Sequence, residues 1–249
     1  MAEAFAGRAL LIAALARRLP AAGHVVVGAI SPLPAAAALL AERRARGALR
    51  VTILGSARHY RFSDGGVELF DAAGRGRIDV FFLSGGQIDG QANINLVGTG
   101  TYPNATTRFP GSFGSAYLYY VVPKVILFRE EHSLRVLVPK VDFVSAPGTS
   151  PPGVWRPGGP SALVTGKAAF AFDRARARFR LESVHPGETV ESIIAATGFD
   201  FDRPARVATT PVATADEIAA IQGPVRAALA PTYPEFAAAL APAGAAAEA

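Results

Sequence analysis

The sequence predicts an α/β fold, with an open, mostly parallel sheet and flanking helices. Three short apolar runs, at residues 24–29, 49–54 and 78–83, are rich in β-branched or aromatic residues and end at glycine or serine turns. Helical stretches separate the runs. This strand–helix–strand alternation indicates βαβ units, whose parallel strands are buried on both faces.

Start and stop signals place the helices. An amphipathic helix is predicted over residues 4–18. Ser31 and Pro32 supply a cap and a first-turn proline for an alanine-rich helix that runs to Arg46. Thr189 is predicted to cap a later helix. The other predicted elements are helices over 67–75 and 115–121, strands at 124–128, 136–143 and 161–165, a hairpin of 168–173 with 178–182, and a last helix that opens at 213–218.

Composition limits the function classes. The chain has 249 residues and a formal net charge of +5. No basic block is interleaved with aromatic residues, so a nucleic-acid partner is not expected. The chain contains no cysteine, which excludes disulfides and thiolate metal sites. Its four histidines are far apart in sequence and lack metal-ligand spacing, so no metal is expected.

Hydropathy and complexity set the expected location and domain organisation. No apolar run is long enough to span a bilayer, so no membrane association is expected. The lack of cysteine is compatible with a reducing compartment, and we expect a cytoplasmic protein. The sequence predicts a single domain over residues 1–236 and a low-complexity Ala/Pro/Gly tail at 237–249 that frays.

The most informative stretch is residues 81–95, where an apolar run ends in Gly85-Gly86. Glycine lets backbone N–H groups approach a ligand, and ligands bind at the carboxyl ends of strands in open α/β sheets. A tight turn held by side-chain-to-backbone bonds would use the same residues, and composition leaves both interpretations open. The polar residues that follow at close spacing are Gln87, Asp89, Asn93 and Asn95.

A second loop, residues 108–114, precedes the helix predicted at 115–121. Backbone N–H groups of Gly111, Ser112 and Gly114 could hold an anion or an oxyanion. Arg108 could pair with a phosphate or a carboxylate. A helix-entry turn and a solvated arginine are the alternatives.

Candidates for catalysis are few. The chain has no Gly-x-Ser-x-Gly motif and no compelling Ser/His/Asp order. His59 lies in the loop after the second predicted strand, which is a favourable place for acid–base chemistry. A surface-loop histidine without a chemical role is the alternative.

Taken in order, these segments resemble the β-type half of the class I coenzyme A transferases, particularly glutaconate CoA-transferase-like β subunits. The resemblance covers roughly residues 20–225. Residues 83–95 resemble the family's G-x-Q-[IV]-D-x-x-G-N-[IL]-N segment, and residues 108–116 are similar to its P-G-x-G-G-A stretch. Further similar segments are 125–128, 141–148, 164–170, 181–190 and 196–199.

The resemblance implies an open α/β fold, an α-type partner subunit in a heterodimer or heterotetramer, and an acyl-CoA substrate without a permanently bound cofactor. It also implies a β-subunit glutamate, just past the second strand, that attacks the thioester. Residues 54–60 occupy that place, read LGSARHY and contain no glutamate. Phe113 and Tyr117 replace a small glycine and an aspartate of the family pattern, and Gln91-Ala92 departs from its glycine before asparagine.

The resemblance therefore points to a β-type subunit of a heteromeric acyl-CoA-processing enzyme. His59, Arg58 or Ser56 would stand where the glutamate is missing. Transfer, hydrolysis and ring opening are all open, and the missing glutamate favours a branch that opens the rings of steroid-derived CoA esters. A non-catalytic ligand-binding or regulatory subunit on the same fold is the alternative. The residues expected to bind the CoA thioester are Gly85, Gly86, Gln87, Asp89, Asn93, Asn95, Arg108, Gly111, Ser112 and Gly114.

Overall fold

A computed structural model of the chain describes residues 2–63 and 65–242. The backbone divides into two compact units. Unit 1 combines Met1–Ser63 with Pro211–Ala249, and unit 2 is Asp64–Thr210. Within unit 1, Ala237 and Leu240 are buried, and residues 243–249 of the expected tail lie outside the described residues. The single-domain organisation stays a prediction.

Helices and short strands alternate along the first half of the chain. The helices are α1 (Ala2–Ala16), α2 (Pro32–Arg44), α3 (Gly65–Gly74), α4 (Ser115–Val121), α5 (Val190–Ala196), α6 (Ala215–Ala220), α7 (Arg226–Leu229) and α8 (Pro234–Ala238), with a π-helical turn at Ile221–Val225. The strands are β1 (Gly23–Val27), β2 (Leu49–Ile53), β3 (Val80–Leu83), β4 (Gln87–Ile88), β5 (Ile94–Asn95), β6 (Gly98–Thr99), β7 (Thr107–Arg108), β8 (Lys124–Arg129), β9 (Pro160–Thr165), β10 (Ala168–Asp173), β11 (Arg178–Val184) and β12 (Ala208–Thr209).

Unit 1 is built on a parallel pair of strands, β1 and β2, with Val25 opposite Val51. Both valines are fully buried, as expected for strands covered on both faces. Residues 9–16 of α1 are also all buried. The amphipathic pattern predicted for this helix is therefore wrong over residues 9–16, because the helix is covered on all sides and not along one stripe.

A buried carboxylate joins three segments of unit 1. Glu217, in α6, accepts a hydrogen bond from Arg17 Nη2 at 2.6 Å and is paired with Arg44 at the end of α2. Arg17 also donates to the carbonyl oxygens of Pro211 and Val212, at 2.6 and 2.8 Å. These charge-assisted bonds hold the end of α1, the end of α2 and the start of α6 together.

Unit 2 contains a six-stranded sheet in the order β12-β11-β10-β9-β8-β3. The β3–β8, β8–β9 and β11–β12 pairs are parallel, whereas β10 is antiparallel to both of its neighbours. Only β10 therefore runs against the other strands of this sheet. The open, mostly parallel sheet predicted from the sequence is confirmed, as is the hairpin that forms β10 and β11.

Two further local predictions are wrong. Residues 136–143 form no strand, although Val136 and Val138 exchange backbone hydrogen bonds with Ile88 at 2.8 and 3.0 Å. Pro139 has no N–H group, so the ladder stops there. Ser31 makes no side-chain cap bond to α2, and Pro32 alone supplies the start signal. The cap predicted at Thr189 is confirmed, since its hydroxyl accepts from the Ser192 N–H at 3.1 Å.

Two buried histidines link segments in the core of unit 2 by hydrogen bonds to threonines. His132 contacts the hydroxyls of Thr165 and Thr197 through its two ring nitrogens, at 2.7 and 2.9 Å. His185 contacts the Thr210 hydroxyl and the Thr165 carbonyl oxygen, each at 2.9 Å. Burial, with a smaller effect of the Lys167 charge, lowers the pKa of His132 to about 4. His132 is therefore neutral in the folded protein at pH 7.

The ion pairs of Glu217 give the first prediction. Glu217→Gln should lower the free energy of unfolding by about 2–3 kcal/mol, because two guanidinium groups lose their shared carboxylate in a buried setting. Urea denaturation followed by circular dichroism measures the change. The matched control is Glu235→Gln on the exposed surface of α8, which should change stability by less than about 0.5 kcal/mol. Equal losses in the two variants would contradict this role of Glu217.

The depressed pKa of His132 gives the second prediction. An unfolded histidine titrates near pH 6.5 and the folded one near pH 4, so the unfolded state binds more protons between these values. The free energy of unfolding should therefore fall as pH is lowered from 6.5 to 4, by about 3 kcal/mol from this group. Urea denaturation at several pH values, compared with His132→Asn, isolates the effect. Identical pH slopes for the two proteins would contradict it.

Candidate functional site

The loop that follows β3 is ordered by one fully buried side-chain amide. Asn95 Nδ2 donates to Gln87 Oε1 and to the Gly98 carbonyl oxygen, each at 2.7 Å. Its Oδ1 accepts from the N–H groups of Val97 and Gly98, at 3.0 and 3.2 Å. Asn95 thus uses both of its donors and both lone pairs within the protein.

Asp89 and Asn93 shape the turn between β4 and β5. Asp89 Oδ1 accepts from the N–H groups of Gln91 and Asn93, each at 3.0 Å, and Oδ2 accepts from Asn93 Nδ2 at 3.0 Å. Asn93 Oδ1 accepts from the Gly148 N–H at 3.1 Å. Asp89 is 4% exposed, so its charge is balanced by these donors more than by water. For Asp89 and Asn93, these are the hydrogen bonds of a tight turn, which is one of the two interpretations that the sequence leaves open.

The double glycine makes room for protein atoms. A methyl group on Gly86 would overlap the ring of Phe109, which lies in the second loop. A methyl group on Gly85 would lie 2.6 Å from Ile94 Cγ2. Both approaches are closer than carbon atoms allow, so glycine is required here for packing. The contact with Phe109 joins the 85–95 loop to the 108–114 loop.

The second loop presents an aromatic side chain to solvent. Phe113 is 83% exposed, has a positive φ of 41° and packs on Phe70 with ring centroids 5.4 Å apart. The Gly111 N–H donates to the Leu96 carbonyl oxygen at 3.1 Å, and a methyl group on Gly114 would overlap the Phe70 ring. Ser112 is half-buried, and its carbonyl oxygen accepts from the Ser115 N–H at 2.8 Å.

Arg108 lies on the surface of the same loop. It donates from Nη2 to the Pro103 carbonyl oxygen at 2.8 Å, and its guanidinium lies 5.9 Å from the centre of the Tyr102 ring. The remaining guanidinium N–H groups leave capacity for an anion.

Tyr119 connects the first loop to α4. Its hydroxyl donates to the Ala92 carbonyl oxygen at 2.8 Å, and burial raises its pKa well above the usual value. Ala92 has a left-handed φ of 59°, which is a conformation that glycine adopts without strain. The glycine that the family pattern places before asparagine matches this backbone shape.

The sequence candidates of unit 1 lie in the turn that follows β2. The Ser56 hydroxyl accepts from the His59 N–H at 3.3 Å and from the Thr232 hydroxyl at 3.0 Å. Ser56 is buried, whereas Arg58 is exposed. Nearby in the chain, Tyr233 donates from its hydroxyl to the Ala29 carbonyl oxygen at 2.9 Å. Sequence reasoning missed Thr232 and Tyr233, because nothing near them in the chain signals contact with these turns.

His59 has an unusual environment for a loop histidine. The residue is 9% exposed, and its Nδ1 has no hydrogen-bond partner within the described part of the chain. Burial is the largest effect on its pKa and lowers it. The charge of Glu42 raises the pKa by a smaller amount, and the charges of Arg58 and Arg61 lower it further. The imidazole is therefore neutral at pH 7, and its buried Nδ1 has hydrogen-bonding capacity that the described residues leave unused.

Unit 2 contains a cavity of about 520 Å³ beside the 85–95 loop. One wall is formed by that loop and another by the turn between β10 and β11. The sequence reasoning missed this cavity, although closely spaced arginines in a hairpin turn were a visible signal. The lining residues are Asp89, Gly90, Gln91, Asn93, Pro139, Lys140, Val144, Arg176, Ala177, Arg178, Phe199 and Asp200.

Two kinds of feature are absent from the described residues, 2–63 and 65–242. No group of three or more His, Asp or Glu side chains there is placed to hold a metal ion. No helix in that part of the chain is both long and apolar enough to cross a membrane.

The family of this chain follows from a match to most of its length. The profile of the coenzyme A transferase family matches residues 5–196, most of the chain, and the chain belongs to this family. The resemblance stated from the sequence is confirmed at this level.

Two relatives are the B subunits of CoA-transferases. The chain is 33% identical over 130 residues to the B subunit of glutaconate CoA-transferase from Acidaminococcus fermentans, covering 49% of this chain and 48% of the relative. It is 31% identical over 153 residues to the B subunit of 3-oxoadipate CoA-transferase from Pseudomonas knackmussii, covering 59% and 58%. The matched part thus spans about half of the length of these relatives.

Solved structures match over nearly the whole chain. The decarboxylase AibA/AibB matches with a TM-score of 0.76 and 25% identity, covering 94% of this chain and 98% of that chain. IpdAB of Rhodococcus jostii RHA1 matches with a TM-score of 0.78 and 22% identity, covering 87% and 93%. The latter likeness shows the fold alone.

The packing of Gly86 against Phe109 gives the third prediction. Gly86→Ala should lower the free energy of unfolding by about 1–3 kcal/mol, because the added methyl group overpacks the contact between the loops. Gly7→Ala is the control, since Gly7 is exposed in α1 with no atom within 4 Å of an added methyl group. That control should leave stability unchanged or raise it by up to about 1 kcal/mol.

A second substitution tests the cause. Phe109→Leu should recover part of the loss in the Gly86→Ala background, since it removes the overlapping ring atoms. Thermal and urea denaturation of the single and double variants measure the coupling. Additive effects of the two substitutions would contradict the proposed clash.

Proposed function

We propose that this chain is the β-type subunit of a heteromeric enzyme that processes a CoA thioester together with an α-type partner. Its two relatives, each the B subunit of a CoA-transferase, support this assignment. We propose hydrolysis or hydrolytic ring opening as its reaction, because the turn after β2 contains no glutamate that could form a covalent intermediate. We also propose that the enzyme acts in the cytoplasm. The decarboxylase among the solved structures supports chemistry other than transfer on this fold.

The main structural support for this proposal is the environment of His59. It follows β2, where the family resemblance expects the nucleophile, and it is a neutral, nine-tenths buried imidazole whose Nδ1 has no partner in the described part of the chain. A general base must have its lone pair available at working pH, and burial lowers the pKa of His59 toward that condition. Arg58, exposed beside it, supplies a cation for an anionic substrate group.

The reaction needs water and no covalent adduct on this chain. His59 takes a proton from water as the water oxygen adds to the thioester carbonyl carbon. The C–S bond then breaks, and the CoA sulfur takes the proton from the imidazolium, which yields an acid and free CoA. In ring opening, the water oxygen adds to a ring carbonyl of the CoA-linked substrate, a C–C bond breaks, and the released carbon takes the proton.

Ser56 is placed to assist. Its oxygen accepts two hydrogen bonds, from His59 N–H and from the Thr232 hydroxyl, so its own proton is left to donate. Accepting bonds polarise a hydroxyl and make it a stronger donor to a developing oxyanion. We propose that Ser56 acts in this way and not as a nucleophile.

A separate proposal concerns unit 2, whose two loops we propose to bind a CoA ester. Arg108 has guanidinium donors to spare for a carboxylate or phosphate of the substrate. Gln87, Asp89, Asn93 and Asn95 contribute by fixing the backbone of the 85–95 loop, because their side-chain groups are bonded within the protein.

The role of His59 gives the fourth prediction. In the complex with its α-type partner, His59→Gln should lower kcat for acyl-CoA hydrolysis by about 100-fold or more. Activity of the unaltered enzyme should rise with pH through a pKa below 6.5 and level off by pH 7, because the base must be deprotonated. Tyr60→Phe, in the same turn, is the control and should retain activity. Unchanged activity and pH profile in His59→Gln would overturn the assignment.

A trapping experiment separates hydrolysis from transfer. The complex is incubated with acyl-CoA and borohydride, and this chain is analysed by peptide mass spectrometry. We expect no adduct on any glutamate of this chain. A glutamyl–CoA adduct here would contradict hydrolysis and restore ordinary CoA transfer. Stabilisation by a sugar phosphate without turnover of any CoA ester would favour the regulatory alternative.

A further inference from the structure

Two arginines of one hairpin turn line the cavity of unit 2. Asp173 Oδ1 accepts from the N–H groups of Ala175 and Arg176, at 3.0 and 3.1 Å, which closes the turn between β10 and β11. Ala177 has a left-handed φ of 49° and lies between the two lining arginines, Arg176 and Arg178. The turn therefore brings two guanidinium groups to the same wall of the cavity.

One carboxylate holds these guanidinium groups in place. Asp202 Oδ1 accepts from Arg178 Nε at 2.7 Å, and its Oδ2 is paired with Arg176 Nη1. These bonds, with the Arg178 bond as the largest cause, hold the pKa of Asp202 below its usual range. Each guanidinium has five N–H donors and uses one on Asp202, so donors are left for a second anion.

A third cation and an apolar wall complete the cavity. Lys140 lines the cavity and is exposed to solvent. Phe199 is fixed by stacking on Phe179, with centroids 5.6 Å apart and planes at 25°. Pro139 and Val144 extend the apolar part of the lining.

The carboxylates of the lining leave this cationic wall available. Asp89 is satisfied by three donors of its own loop and so does not compete for the arginines. Asp200 is the other acidic lining residue and is exposed. A cavity of about 520 Å³ is in the volume range of small-molecule binding sites.

We propose that this cavity binds a nucleoside phosphate. Its phosphate groups contact Arg176, Arg178 and Lys140, because planar guanidinium forks and an ammonium group match phosphate oxygens. Its base packs against Phe199 and Val144, which supply aromatic and aliphatic surface. The phosphorylated adenosine end of CoA and a free nucleotide share this chemistry, and the first of these sources rests on the proposed function.

The test measures binding of adenosine 3′,5′-bisphosphate to the full chain by titration calorimetry. Arg178→Gln and Lys140→Gln should each raise Kd about tenfold. Arg174→Gln is the matched control, because it removes the same charge from the same turn at a residue outside the lining, and it should change Kd by less than about twofold. No saturable binding, or equal weakening by Arg174→Gln, would overturn the proposal.

Kinetics of the complex identify the source of the nucleotide. If it is the end of CoA, Arg178→Gln raises KM for an acyl-CoA, leaves kcat unchanged, and leaves KM for the matching acyl-pantetheine unchanged. If it is a free nucleotide, KM for the acyl-CoA is unchanged although Arg178→Gln weakens adenosine bisphosphate binding.

Failures of the two proposals give different results. Turnover of acyl-CoA with no phosphate binding at the cavity would overturn this inference alone. Binding that depends on Arg178, without turnover of any CoA ester, would overturn the proposed function alone.

Discussion

The loop after β3 depends on one interaction, the buried pair of side-chain amides of Asn95 and Gln87. A buried amide that loses its partner costs about 1–3 kcal/mol, so side-chain conformations that separate Asn95 from Gln87 are disfavoured by about that free energy. Gln87 Oε1 also accepts from the Asp142 N–H at 2.9 Å, which brings the 142–146 segment against the loop. Through Gly86 and Phe109, the same loop fixes the position of the 108–114 segment. Much of the candidate site in unit 2 is therefore built outward from two amides.

This architecture changes which residues are expected to touch a ligand. Polar residues that look like ligand contacts in the sequence are engaged in shaping the backbone, and the groups with spare capacity lie elsewhere. Arg108, His59 and the arginines of the β10–β11 turn have donors or lone pairs to offer. Within each unit, the residues that fix the shape of a loop are thus different from those with hydrogen-bonding capacity left for a ligand.

Features with a local signal could be predicted from the sequence. Strand ends, the Thr189 cap and the β10–β11 hairpin follow from residues within a few positions of each other. Prediction failed at Ser31, because the start of α2 is fixed by Pro32 without a side-chain bond, and at residues 136–143, where Pro139 ends the pairing. Contacts such as Thr232 with Ser56, 176 residues apart, follow from the tertiary fold and leave no trace in local patterns.

The discontinuity of unit 1 has a consequence during synthesis. Unit 2 is one continuous stretch, so all of its strands exist once Thr210 has been made. Unit 1 needs Glu217 from the far end of the chain to pair with Arg17 and Arg44. Its apolar first helix therefore leaves the ribosome long before the segment that completes its unit. Until then, residues 9–16 form an exposed apolar segment of the nascent chain that is prone to aggregation. A chaperone that shields this segment would raise the yield of folded protein.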